Sequence, residues 1–266
     1  MDCNLRRLIA YPCAGETLAG TLDDAEGATG VLIVSGGNEL RIGAHRGMAE
    51  LAARLTATGV PVLRYDRRGI GDSTGENRGF EHAAEDFSAA VATFRDALPH
   101  VTRVVAFGNC DAATMLALSG AAAGADAIIL SNPWLGATDD ALPPQAAIRA
   151  RYLERLKDPH SLLRLVTGGV NIPELIKGLR KASASVSQAP LEQRIADALA
   201  VYPGPITILL AARDNTAVAF SSAWSSPTFA AARAKAAFHE HDTSSHSYQH
   251  PEDKDWLFAR LIEAAA

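Results

Sequence analysis

Val104-Val105-Ala106-Phe107-Gly108-Asn109-Cys110-Asp111-Ala112-Ala113 reads as a buried strand running directly into a sharp turn and then a helix. A short continuous apolar run ending at a glycine is the pattern of a parallel strand covered on both faces. Ala112, Ala113, Leu116 and Ala117 carry the pattern on at helical spacing, with small residues on the packing side. The same unit recurs outward from this stretch. Upstream, Val31 to Val34 is an apolar run ending in Ser35-Gly36-Gly37. Met48, Leu51, Ala52 and Leu55 follow at helical spacing, with Gly59 at the helix end. Pro61 to Tyr65 predicts the next strand. Phe87, Val91, Phe94 and Leu98 predict a second amphipathic helix, stopped by Pro99. Downstream, Ala127 to Leu130, Ile206 to Leu210 and Phe238 to Asp242 predict three more strands, and Pro251-Glu252 opens a terminal helix. Runs around Leu8 and Leu18 predict an antiparallel hairpin at the start. Strands alternating with helices imply a mostly parallel sheet with helices on both faces.

The alternation stops between Pro133 and Gln188. Apolar residues there keep helical spacing but form no strand-like run, and Gly168-Gly169 and Pro173 interrupt them. Residues 133–188 are therefore expected to be a helical cap inserted into a core made of 1–132 and 189–266. Between Pro144 and Lys181 stand eight bases against three acids, a net +5, in a chain whose total charge is −5; the remainder thus carries −10. A solvated helix face explains such a segment, and so does a landing site for an anionic substrate, with Arg149 and Arg151 as its candidate contacts.

Composition sets the outer bounds. With 266 residues, 48% apolar and 21% charged, the chain suits one α/β domain with an insertion and excludes disordered or fibrous classes. The acidic balance argues against a general nucleic-acid binder, and no apolar run approaches the roughly 20 residues a membrane helix needs. Three cysteines (Cys3, Cys13 and Cys110) cannot form a disulfide framework and suit a reducing cytoplasm. The start, Met1 to Arg7, has no apolar core of a secretory signal.

The chemistry gathers at the quoted turn. A nucleophile at the apex of a strand–turn–helix is pressed against both elements and needs small neighbours, and Cys110 occupies that apex. A helix N-terminus also favours a thiolate. A literal Gly-x-Ser-x-Gly occurs elsewhere, at Gly71-Asp72-Ser73-Thr74-Gly75. Four residues separate it from the strand ending at Asp66, and Glu-Asn-Arg-Gly rather than an apolar helix follows it, so a structured loop is the expectation there. A base and an orienting acid should come later, acid first. Asp214, after the strand Ile206 to Leu210, fits the acid and also fits a helix N-cap for the segment from Thr216. His246, in the loop Thr243 to Tyr248, fits the base, with His250 as its competitor. His239 and His241 share a strand face, but nothing completes a metal set around them, and neither a metal nor a cofactor is expected. Two oxyanion donors are needed: the N–H of Asp111, and one from the Ser35-Gly36-Gly37-Asn38 loop, either Gly37 or Asn38.

Together these pieces resemble the α/β-hydrolase superfamily along nearly the whole chain. Within it the chain resembles the group called exosortase A system-associated hydrolase type 1, through Gly36-Gly37-Asn38, His45-Arg46, Arg64 to Ser73, Cys110-Asp111-Ala112-Ala113, Asn132-Pro133-Trp134, Arg213 to Ala217 and His246. Ala112, like the cysteine itself, departs from the usual Gly-x-Ser-x-Gly. The resemblance implies acyl chemistry, with Trp134 beside Arg149 and Arg151 as candidate substrate contacts. The cysteine points to acyl thioesters, with coenzyme A or an acyl carrier protein as the donor. A cysteine nucleophile in this fold also resembles dienelactone hydrolases, so an esterase or lactone hydrolase is the alternative, and a non-catalytic hydrolase-like binding module the third reading.

Overall fold

The computed structural model describes residues 6–136 and 190–266. The cap expected at 133–188 therefore lies almost wholly outside the described residues, and Arg149 and Arg151 lie outside them too. The strands are β1 (Arg6–Cys13), β2 (Glu16–Asp23), β3 (Thr29–Val34), β4 (Val62–Tyr65), β5 (Arg103–Asn109), β6 (Ala127–Ser131), β7 (Ile206–Ala211) and β8 (Ala236–His241). They form one sheet in the order β1-β2-β4-β3-β5-β6-β7-β8. The hairpin β1–β2 joins antiparallel to β4, and every pairing from β4 to β8 is parallel.

Alternate residues of the central strands face opposite layers, as the two-residue period of a strand requires. Leu32, Val34, Val104, Ala106, Ile128, Leu130, Ile208 and Leu210 pack with Phe87 and Phe94 of α2 (Ala84–Ala97) and Leu116 of α3 (Asp111–Ser119). On the same side lie Leu199 of α4 (Leu191–Val201) and Phe220 of α5 (Asn215–Trp224). A short α6 (Ala230–Arg233) precedes β8. Val31, Ile33, Val105, Phe107, Ile129 and Leu209 point the other way, onto Leu51 and Leu55 of α1 (Gly47–Ala57) and Leu257 and Leu261 of α7 (Pro251–Ala265). Burial on both faces is why these strands read as unbroken apolar runs.

The loop after β4 is structural. Asp66 is buried, pairs with Arg41 and accepts from the N–H of Arg41 at 2.6 Å and of Asp72 at 3.2 Å. Arg68 pairs with buried Asp86, whose carboxylate also accepts from the Arg68 N–H at 2.9 Å. Ser73, the serine of the literal motif, is buried; its Oγ donates to the Asp66 carbonyl at 2.7 Å and accepts from the Ala19 N–H at 2.9 Å. Both capacities are spent on tying the loop to β2. Ser73→Ala orphans those two groups and should cost about 1–3 kcal/mol of stability. The check is a lowered melting temperature with Cys110 chemistry retained; lost turnover in a folded variant would return Ser73 to the list of nucleophiles.

Candidate active site

Cys110 stands between β5 and α3 with φ 62° and ψ −126°, a conformation that a non-glycine residue holds only when its surroundings enforce it. The enforcement is visible. The Cys110 N–H donates to the Ser131 carbonyl at 2.9 Å, and its carbonyl accepts from the N–H of Thr114 and of Trp134, each at 3.3 Å. A Cβ on Gly108 would come within 2.8 Å of the Ala112 carbonyl carbon, so glycine there lets the helix fold back against the strand. Ala112 is fully buried in that contact and fits without a glycine.

Asp214 and His246 come from the two loops beyond β7 and β8. These loops are joined by the N–H of Ala212 to the His241 carbonyl at 2.8 Å and of Arg213 to the Thr243 carbonyl at 2.9 Å. Asp214 meets both descriptions its sequence allows. Its Oδ2 caps α5 by accepting from the Thr216 and Ala217 N–H groups at 3.1 and 3.2 Å, and accepts from His246 Nδ1 at 2.9 Å. A carboxylate only accepts, so Nδ1 carries the proton and Nε2 is the atom left for chemistry. Burial works against the Asp214 charge, but the His246 hydrogen bond and charge, with the two N–H groups, hold its carboxyl below the ordinary value. Burial likewise opposes the imidazolium. Hydrogen bonds and charge from Asp214, and from the Cys110 thiol within reach of the same ring, outweigh it and raise His246 to about 10. The structure thus brings Cys110, His246 and Asp214 together and makes His246 a proton holder at neutral pH.

Two asparagines hold this histidine, and reading the sequence gave neither a role. The Nδ2 groups of Asn109 and Asn132 both donate to the His246 carbonyl at 3.2 Å. Asn132 is fully buried with φ 43°, donates to Asn109 Oδ1 at 3.0 Å and accepts from the Ala211 N–H at 2.8 Å. Tyr248, buried two residues past His246, accepts from Ser131 Oγ at 3.1 Å. The signals were an asparagine directly before the elbow cysteine, and an asparagine just past the end of β6, a residue that tolerates positive φ.

The oxyanion candidates are less simply placed. Gly36 lies against the elbow, where a Cβ would come within 2.5 Å of the Asn109 carbonyl oxygen and 3.3 Å of Cys110 Cβ. The neighbouring Gly37 N–H is already engaged, donating to Asp111 Oδ1 at 2.6 Å. Asp111 begins α3, so its own N–H lies among those with no intrahelical acceptor. Asn38 is exposed, and its Oδ1 accepts from Asn77 Nδ2 at 2.7 Å. Trp134 meets the site through its backbone: its N–H reaches the Cys110 carbonyl, and its own carbonyl accepts from Thr114 Oγ1 at 2.7 Å.

The other histidines near His246 in the sequence are placed apart from it. His250 is exposed at the N-cap of α7. His241 contacts Asp253 at 2.9 Å and stacks on Trp256, and His239 lies 3.5 Å from an Arg260 nitrogen.

Solved structures with similar folds include the Pyrococcus furiosus esterase Pf2001, at a TM-score of 0.67 and 16% identity over 98% of this chain and 92% of that one. The α/β-hydrolase GrgF from Penicillium sp. sh18 matches at 0.64 and 18% identity, over 98% of each chain. The thioesterase domain from the curacin biosynthetic pathway matches at 0.60 and 14%, over 97% of this chain and all of that one, 100%. No curated protein matches the chain by sequence. A family profile described as serine aminopeptidase, S33, matches residues 28–219, from the start of β3 to within α5, and therefore includes the elbow and Asp214. With an eight-stranded, mostly parallel sheet and a strained residue at the β5–α3 turn, the chain belongs to this serine aminopeptidase S33 family of α/β-hydrolases, and carries a cysteine at the elbow.

Proposed function

We infer that the chain is a cysteine-dependent acyl-transfer enzyme, a thioesterase or acyltransferase working on acyl thioesters. The observation that carries this reading is the strained Cys110 at the strand–helix turn with the Asp214-held His246 ring in reach of its thiol. A protonated His246 beside Sγ makes a thiolate–imidazolium pair the competent form. Sγ attacks the carbonyl carbon of the donor, and negative charge builds on the carbonyl oxygen against the Asp111 N–H and one N–H of the Gly37–Asn38 loop. The bond from carbon to the leaving sulfur breaks, the leaving thiolate takes the His246 proton, and an acyl-cysteine remains. Water or an amine then attacks the acyl carbon and gives its proton to neutral His246, and Cys110 departs as thiolate. The acylation exchanges one thioester for another and is close to isoenergetic, which suits a thioester donor.

The alternative, a carboxylesterase or lactone hydrolase of small molecules, gains from the likeness to an esterase. The test of both is incubation with acyl thioesters and oxygen esters, with and without an amine, followed by intact-mass analysis for an acyl adduct. An adduct formed faster from thioesters supports the first reading, one formed only from oxygen esters the second. No adduct and no turnover would leave the binding-module reading.

The +5 segment around Arg149 and Arg151 suits an anionic donor such as a coenzyme A thioester or an acidic carrier protein. KM for such a donor should rise with salt between low and physiological ionic strength, and rise likewise when Arg149 and Arg151 are both neutralised, while KM for an uncharged thioester stays put. A salt-independent KM would detach the segment from the substrate.

A further inference from the structure

Asp111 is an unusual neighbour for a nucleophile. Its backbone N–H belongs where one oxyanion donor must be, while its side chain occupies the other candidate: Oδ1 accepts from Gly37 N–H at 2.6 Å. A carboxylate oxygen on that amide stands where the charged oxygen of a reacting acyl group would need it, so the donor cannot serve both at once. A Cβ on Gly36 would lie 2.9 Å from the same Oδ1, which shows how closely the loop wraps this carboxylate.

The buried Arg67 provides a second place for the charge. Its Nη2 lies 3.6 Å from Asp111 Oδ2 and donates to the Gly37 carbonyl. Its side chain is 5% exposed, and among the described residues its Nε and Nη1 have no partner. Unpartnered N–H groups on a buried guanidinium are costly, and a planar fork of donors is matched to a carboxylate.

We propose that Asp111 is a two-position gate on the oxyanion site, closed on the Gly37 N–H and opened by moving onto the free donors of Arg67. The inference rests on the acyl-transfer reading of Cys110. In the closed position the second donor is withheld. When an acyl carbonyl enters, the carboxylate turns to Arg67, stays paired and gives up Gly37. The pair thus raises the threshold for acylating Cys110: only a carbonyl bound well enough to displace the carboxylate gains the second donor. Asp111 is a positioning residue here, acting through Gly37.

The experiment is stopped-flow acylation of the full chain by p-nitrophenyl butyrate, with adduct formation on Cys110 verified by mass. Asp111→Ala keeps the amide and removes the carboxylate, and should acylate about tenfold faster or more, since withholding one oxyanion donor costs about a hundredfold or more in comparable sites. Asp111→Asn, which removes the charge and keeps the shape, covers the case in which alanine fails to fold, and should also be faster than wild type. Arg67→Lys removes the fork and should slow acylation, and adding Asp111→Ala to it should restore the fast rate. That rescue is an outcome a merely structural arginine would not produce. In the same samples the Gly37 amide proton resonance should move upfield on Asp111→Ala. Adducts forming in wild type but no faster in the folded Asp111 variants would overturn the gate alone. No adduct on any of the proteins, from this ester or from butyryl-coenzyme A, would overturn the acyl-transfer reading and the gate with it.

Discussion

Cys110→Ala should abolish the acyl adduct and lower turnover of thioesters and esters by about a thousandfold or more, the loss seen when a nucleophile that works as a unit with its base is removed. The expectation follows from geometry. Cys110 is half-buried at the strained apex with φ 62°, its backbone is fixed by three hydrogen bonds, and the His246 ring in reach of its thiol is held at Nδ1 by Asp214. Alanine removes one sulfur from this position and leaves the backbone contacts standing, so the variant should melt close to wild type. Cys110→Ser keeps a potential nucleophile but asks more of its base: a hydroxyl must give up its proton during attack, and the contribution of Cys110 to holding the His246 proton is lost with the sulfur. The serine variant should therefore also lose most activity in spite of the serine in the family's name. Intact-mass analysis after exposure to an acyl thioester checks both variants, and an adduct surviving in Cys110→Ala would move the chemistry to another residue.

How far the sequence disclosed this site can be argued residue by residue. The parallel strands were legible because burial on both faces leaves unbroken apolar runs, as in Val104 to Phe107 and Ile206 to Leu210. The elbow position of Cys110 was legible because no spacer separates that strand from its helix, and the loop position of Ser73 because four residues separate its motif from a strand. Asp214 was legible in two ways at once, and the structure shows that one oxygen serves both, as helix cap and as histidine partner. What remained hidden depends on contacts between residues distant in the chain. The convergence of Asn109 and Asn132 on the His246 carbonyl spans separations of 137 and 114 residues, and no local pattern marks it. The Asp111 carboxylate on Gly37 was hidden for the same reason, so the choice between Gly37 and Asn38 as donor could not take account of a side chain competing for one of them.

Asp214→Asn should lower kcat by about a hundredfold to ten-thousandfold, with a change in pH profile that separates it from a simple loss of fold. The sign follows from the forces on His246. Burial pulls the imidazole down, and the Asp214 hydrogen bond and charge, together with Cys110, lift it to about 10. Wild type therefore keeps its imidazolium through neutral pH and loses it only as the pH rises through about 10, so the alkaline limb of kcat/KM belongs there. Asparagine removes the charge and offers an acceptor or a donor in its place, while the burial penalty stays. The His246 value must then fall, and the alkaline limb should move toward neutrality. Asparagine can also present its Nδ2 to the ring, which favours the tautomer with the proton on Nε2 and turns the reactive nitrogen into a donor. The cap on α5 survives in part, because asparagine also caps helices well. A lowered rate with a displaced alkaline limb and a near-native melting temperature would identify Asp214 as the residue that keeps His246 charged. A lowered rate with the limb still at about 10 would assign that charge to the Cys110 thiolate instead.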